Sequence, residues 1–234
     1  MATAHYSWLA GMIPSPLSAV IFDKDGLLLD TETVVRKAMF DACTDLGYVM
    51  EDTLHLSLIG GARDSTDERL RAHFGADFPL ATYRERCRVH FEHICRDEVP
   101  VKPGARELLL FLRERGIPAG VATSTSRARS EENLRRTGLG ELIHVLVTRD
   151  DVRFAKPHPE CFLKAASLLG VPPSECLALE DSHHGIRAAH AAGMAAVMVP
   201  DMLRPTPEIE PLCAGIVDNL AAVQRLLAHT LHAR

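Results

Sequence analysis

Residues 20–32 read VIFDKDGLLLDTE, and the fold turns on how this stretch is read. An apolar run from Ala19 to Phe22 stops at two aspartates, Asp23 and Asp25, one residue apart, with Gly26 next. A short, continuous apolar run bounded by polar turn residues is the pattern of a strand buried on both faces of a parallel sheet. The two-residue period of extended chain sends both aspartates off the strand end on the same side, where like charges repel. Gly26 lets the backbone turn away there, or approach a ligand closely.

The pattern recurs downstream. AGVA (119–122) runs into TSTS, HVLV (144–147) into TRDD, CLAL (176–179) into EDS, and AAVMV (195–199) into PD. Helical stretches lie between them. PGARELLLFLRERG (103–116) and PHPECFLKAASLLG (157–170) each open on proline and close on glycine. SHHGIRAAHAAG (182–193) opens on Ser182, a natural N-cap, and closes on Gly193. Alternating strands and helices predict βαβ crossovers and a doubly wound, Rossmann-like α/β layer. Residues 33–100 break this rhythm and read as helices alone. Val35, Met39, Ala42 and Leu46 share a helical face, and Ser65–Glu68 and Thr82–Glu85 have capping-box spacing. The expected organisation is a tail over 1–16, an α/β core over 17–32 and 101–234, and an inserted small α-helical domain over 33–100.

Composition narrows the function classes. At 47% hydrophobic and 24% charged residues, the chain can bury a sizeable core. Its net charge of −5 and lack of basic runs argue against nucleic acid or an anionic membrane as partner. No apolar stretch approaches the ~20 residues a membrane span needs. The first residues lack the basic and long apolar regions of a signal peptide. None of the six cysteines falls in a C-x-x-C pair, so free thiols in a reducing cytoplasm are expected. His183 and His184 would point ~100° apart on a helix and make a poor metal pair.

Open α/β sheets bind ligands beyond the carboxyl ends of their strands. Four such ends carry reactive polar residues: Asp23 with Asp25; Thr123 with Ser124; Lys156; and Glu180 with Asp181. Alone, each has a plainer reading, as a helix cap, an Asp-Gly turn or a surface lysine. Together they offer hard oxygen donors for a cation such as Mg2+. Lys156, held extended ahead of Pro157, would keep Asp23 ionised and neutralise a phosphoryl oxygen. The Thr123 hydroxyl and nearby backbone N–H groups suit an anion.

FDKDGLLLDTE, VATSTSR, AKPHPECF and LEDSHHGIRAAHAAGM resemble, in that order, the four motifs of the haloacid dehalogenase-like hydrolase superfamily. From Leu17 on, the chain is similar to its β-phosphoglucomutase and sugar-phosphate phosphatase branch, whose helical insert covers the core site as a cap. The resemblance implies that Asp23 is the nucleophile and forms an aspartyl-phosphate. It makes Asp25 the general acid and then base, Thr123 a holder of a phosphoryl oxygen, and Lys156 the bridge between nucleophile and phosphate. It implies Mg2+ on Asp23, the Asp25 carbonyl and Asp181, with Glu180 in or near the shell, and Gly26 and Ser124 beside the phosphate. Arg63, in IGGARDS (59–65), aligns with a cap arginine that contacts substrate phosphate. Dehalogenases of the family lack the second aspartate, so Asp25 favours phosphoryl transfer. The mutases carry a histidine where this chain has Val35, and valine makes no hydrogen bonds, so hydrolysis is favoured over mutase chemistry. Lys24 either tunes the site or faces solvent. The expected protein is an Mg2+-dependent phosphatase of small phosphorylated metabolites, sugar phosphates foremost, acting as a monomer or weak homodimer. A phosphosugar mutase and a phosphoacceptor domain without turnover are the alternatives.

Overall fold

Strands β1 (Ala19–Phe22), β2 (Ala119–Ala122), β3 (Val145–Val147), β4 (Cys176–Glu180), β5 (Ala195–Met198) and β6 (Gly215–Ile216) form one parallel sheet in the order β3-β2-β1-β4-β5-β6. They belong to a computed structural model that describes residues 13–59, 63–96 and 99–232. The expected α/β layer is therefore present, with a doubly wound strand order. The two-residue β6 was not anticipated, being too short to carry a periodic signal.

Two compact units divide the chain: Asp30–Pro100, and the segments on either side of it. The first holds α1 (Thr31–Asp45), α2 (Asp52–Leu58), α3 (Arg63–Phe74) and α4 (Leu80–Ile94). The second holds the sheet with α5 (Ala105–Glu114), α6 (Arg127–Thr137), α7 (Glu160–Leu169), α8 (His183–Ala191) and α9 (Leu220–His232). The tail expected over 1–16 lies almost wholly outside the described residues, as do Gly60, Gly61 and the side chain of Arg63.

All four residues of β1 are fully buried, as a central parallel strand requires. Its register places Val20 opposite Ala119 on β2 and Phe22 opposite Leu179 on β4. Ile21, Ala122, Ala178, Phe162 and Ile186 meet in one core cluster between the sheet, α7 and α8. Side chains such as Phe162, fully buried, contribute about 1.5–3 kcal/mol each to folding. Ser182 caps α8 as expected: its backbone is extended and its Oγ accepts the Gly185 N–H at 3.1 Å.

The helical unit has its own core, in which Leu70, Phe78 and Tyr83 are buried against Tyr48 and Phe74. On α1 the buried stripe is Val34, Ala38, Ala42 and Cys43, with Val35 half-buried and Met39 and Leu46 at the margin. The true face thus sits about one residue ahead of the expected one, and its small alanines suit the close packing of α1 on α4. Ser65 and Thr82 do not cap. α3 already begins at Arg63, and α4 begins at buried Leu80, behind Pro79, whose fixed φ suits a helix entrance. All six cysteines are free, and no described helix is long and apolar enough to cross a membrane.

Candidate active site

In the strand order, β1 runs to β2 on one side and lies beside β4 on the other. Such a reversal opens a crevice at the carboxyl ends of the central strands. Asp23, Thr123 and Glu180 stand at the ends of those three strands. The Asp23 N–H still donates to Leu179 of β4 at 2.9 Å, and the Thr123 N–H to Val147 of β3 at 2.9 Å. The backbone beneath both side chains is therefore fixed by the sheet. Past Asp25, Gly26 takes φ +82°, in the left-handed region, and its N–H donates to the Leu29 carbonyl at 2.8 Å.

Lys156 arrives from the segment between β3 and α7 and ties three strand ends together. Its ammonium donates to Asp23 Oδ1 at 2.6 Å, to Glu180 Oε1 at 2.5 Å and to the Ala122 carbonyl at 2.9 Å. Three donors meet three acceptors. The ammonium also lies 4.8 Å from the centre of the Phe162 ring. Burial pulls the Lys156 pKa down, but Asp23 and Glu180 outweigh it and the net shift is upward, so the side chain stays charged. Asp23 moves the other way from an ordinary carboxylate. Burial pushes its pKa up to about 7; Lys156 pulls back, and Glu180 and Asp25 add to the rise. Its second oxygen, Oδ2, makes no hydrogen bond among the described residues.

Glu180 is fully buried and both its oxygens are engaged. Oε1 meets Lys156, while Oε2 accepts the Ser182 N–H at 3.0 Å and the Ser182 hydroxyl at 2.9 Å. Gly185, one turn into α8, leaves the room: a Cβ there would run into the Glu180 carboxylate. Asp181 follows at the exit of β4, half-buried.

Asp25 has a different environment. Its side chain is 26% exposed. Oδ1 accepts from Lys24 at 2.6 Å, and Oδ2 from the hydroxyls of Thr125 at 2.7 Å and Thr123 at 3.3 Å. The Thr123 hydroxyl also accepts the Thr125 N–H at 3.2 Å. Ser124, between them, is exposed. The geometry thus joins Asp23, Lys156 and Glu180 in one ion-paired group, and Asp25, Thr123 and Lys24 in a second. Sequence reasoning missed Thr125, Ser182 and the Ala122 carbonyl. For Thr125 a signal existed, since in TSTS it lies two residues past Thr123 and so on the same side of an extended chain.

The hard oxygens of Asp23, Asp181 and the Asp25 carbonyl suit Mg2+ chemically. Among the described residues no group of three or more His, Cys, Asp or Glu side chains is placed to hold a metal ion. An open set is compatible with Mg2+, which commonly takes one or two carboxylates plus waters and phosphate oxygens.

Comparison with known proteins agrees with this layout. The family model for haloacid dehalogenase-like hydrolases matches residues 17–193. The chain is 35% identical over 191 residues to the protein YhcW of Bacillus subtilis, covering 81% of this chain and 86% of that one. It is 31% identical over 194 residues to hexitol phosphatase B of Escherichia coli, covering 80% and 85%. The crystal structure of CbbY from Rhodobacter sphaeroides in complex with phosphate superposes with a TM-score of 0.70 at 28% identity, covering 88% of this chain and 96% of that one. A family match through all the strand ends described above, joined to a phosphatase relative of nearly full length, makes this chain a phosphohydrolase that belongs to the haloacid dehalogenase-like hydrolase family.

Proposed function

We propose that the protein hydrolyses small phosphomonoesters, sugar phosphates foremost, in an Mg2+-dependent reaction through an aspartyl-phosphate on Asp23. The observation that carries the proposal is the buried Asp23–Lys156–Glu180 group, which leaves Asp23 Oδ2 without a hydrogen-bond partner among the described residues. Asp23 Oδ2 attacks phosphorus, the bond from phosphorus to the ester oxygen breaks, and Asp25 gives that oxygen its proton. Water then attacks phosphorus while Asp25 takes its proton, the acyl-phosphate bond breaks, and inorganic phosphate leaves. Splitting hydrolysis into two displacements replaces one difficult step with two easier ones. Asp23, the Asp25 carbonyl and Asp181 would hold the ion, which supplies positive charge to the phosphoryl oxygens and offsets the carboxylates. Lys156 adds charge beside the nucleophile, and the Thr123 hydroxyl stands where a phosphoryl oxygen would be held.

Glu180, with both oxygens committed to Lys156 and Ser182, serves in this reading to hold Lys156 upright. Gly26 and Ser124 are taken as neighbours of the phosphate, and Arg63 as the contact to substrate phosphate that the family resemblance implies. Hexitol phosphatase B, named for a phosphorylated polyol, supports the sugar-phosphate class. The free thiols fit a cytoplasmic setting. Phosphate release across a panel of phosphorylated sugars, polyols and nucleotides, with Mg2+ and with EDTA, tests the proposal. Release confined to Mg2+, together with an acid-stable label on Asp23 after quenching with labelled substrate, is the expected result. A substrate converted to its isomer without phosphate release would favour the mutase chemistry instead.

A further inference from the structure

Lys24 is the least expected side chain of the site. It sits between the two aspartates, where the strand period would send it away from both, yet its ammonium reaches Asp25 Oδ1 at 2.6 Å. It is fully buried, 0% exposed, and ranks with Phe22 among the largest wholly enclosed side chains. Lysine is almost never fully buried unless paired, and among the described residues Asp25 is the carboxylate with which Lys24 pairs. Stability alone gives no reason for it, because an apolar side chain of similar volume would fill the same space as well or better. On the far side of the carboxylate, the Thr125 hydroxyl donates to Oδ2 at 2.7 Å, the shorter of two threonine contacts.

We propose that Lys24 and Thr125 are positioning residues that clamp the Asp25 carboxylate, one on each oxygen, and fix the direction from which it exchanges a proton with the leaving alcohol and with water. The inference rests on the reading of Asp25 as acid and base given above. Neither residue touches the phosphoryl group in this scheme; both act through Asp25. A carboxylate held at both oxygens cannot swing about its Cβ–Cγ bond, and small misplacements of a reacting group lower rates steeply. The clamp matters most where the leaving oxygen needs its proton. A sugar alkoxide needs one; p-nitrophenolate, a good leaving group, does not.

The test compares kcat/KM for a hexose phosphate and for p-nitrophenyl phosphate in wild type, Lys24→Met and Thr125→Val. Methionine matches the unbranched four-atom stem of lysine without the ammonium, and valine keeps the shape of threonine. For each variant, kcat/KM on the sugar phosphate should fall about tenfold to a hundredfold, while that on p-nitrophenyl phosphate falls less than about threefold. Labelled phosphoenzyme should accumulate after acid quench, since water activation also uses Asp25. Placed on an Asp25→Asn background, either substitution should add nothing further, as coupled residues do in a double-mutant cycle. Equal falls on both substrates, or effects that add to Asp25→Asn, would overturn the clamp. Should Lys24→Met not give a cooperative melt, Thr125→Val carries the same comparison. Wild-type protein that releases phosphate from neither compound would overturn the phosphatase reading itself, a result distinct from an active wild type with unselective variants.

Discussion

Replacing Asp23 by asparagine should abolish activity and, without metal, make the protein more stable. Asp23, the proposed nucleophile, lies buried beside two further carboxylates, with Lys156 shared between it and Glu180. Its pKa rises from 3.8 to about 7, with burial the largest cause. A carboxylate with a raised folded-state pKa adds no penalty below the unfolded value. The penalty grows as pH climbs from 3.8 and is complete above about 7. At ~1.4 kcal/mol per pH unit, that span sets a ceiling of about 4 kcal/mol. Relaxation and water entry return part of it, so about 1–3 kcal/mol is expected. Asparagine stands in for the protonated carboxyl, so the advantage of Asp23→Asn should be small near pH 4 and reach its plateau near pH 8. In melting temperature the plateau is about 2–12 °C for a chain of this size. Carboxylates remote from Asp23 titrate in both proteins and cancel in the difference. Mg2+ should reverse the order. A ligand at a hundred times its Kd stabilises the native state by about 2.7 kcal/mol, and wild type should gain more than the variant, which lacks one ligand. Thermal melts of both proteins from pH 4 to 8.5, in EDTA and in Mg2+, provide the measurement. A difference that stays flat with pH, or a variant less stable than wild type at pH 8 in EDTA, would refute the electrostatic reasoning.

Lys156→Met should leave Asp23 and Glu180 buried without a cation and destabilise the protein by about 3–5 kcal/mol, read by denaturant titration. Adding Glu180→Gln should recover part of that stability and none of the activity. Gly185→Ala should drive a Cβ into the Glu180 carboxylate, lowering stability by about 1–3 kcal/mol and kcat by about tenfold or more as Lys156 shifts; unchanged kinetics would deny Glu180 its supporting role. Asp25→Asn should keep Mg2+ binding by calorimetry, since the proposal uses its backbone carbonyl, and lose about 10²–10⁴ in turnover. Arg63→Ala should raise KM for phosphorylated sugars more than for p-nitrophenyl phosphate, measured in parallel assays.

The strands were legible because β1, β2, β4 and β5 are buried on both faces and so read as unbroken apolar runs ending in polar residues. The helices that pack on them were legible through proline, serine and glycine at their ends. Within the helical unit the elements were visible but their starts were not. Capping-box spacing at Ser65 and Thr82 competes with other ways of entering a helix, and Pro79 and buried Leu80 begin α4 earlier. In the candidate site, spacing picked out Asp23, Asp25, Thr123, Lys156 and Glu180, but not which side chain holds which. Glu180 reads as one more oxygen for a cation, and only the fold brings Lys156 to one of its oxygens and Ser182 to the other. Lys24 was undecidable for a similar reason. Period-two geometry fixes where its Cβ points, whereas its four-carbon stem is long enough to bend back to Asp25.

The two aspartates that open the chain's first loop are chemically alike and differ only in what surrounds them. Asp23 is enclosed, shares one lysine with a second carboxylate, and among the described residues keeps one oxygen without a hydrogen bond. Asp25 is reached by solvent, has a lysine of its own, and meets hydroxyls on its other oxygen. A nucleophile needs an oxygen with nothing to lose by forming a bond, and an acid–base group needs contact with water and a fixed orientation. Pairs of carboxylates divide such labour when their environments differ. Here the difference comes from two lysines: Lys156, delivered from a distant loop to Asp23, and Lys24, placed between the aspartates and paired with Asp25. Substitution at the two lysines should therefore disturb the chemistry differently: Lys156→Met should slow phosphoenzyme formation from sugar phosphate and p-nitrophenyl phosphate alike, whereas Lys24→Met should slow formation only where the leaving oxygen needs a proton, and slow breakdown with both.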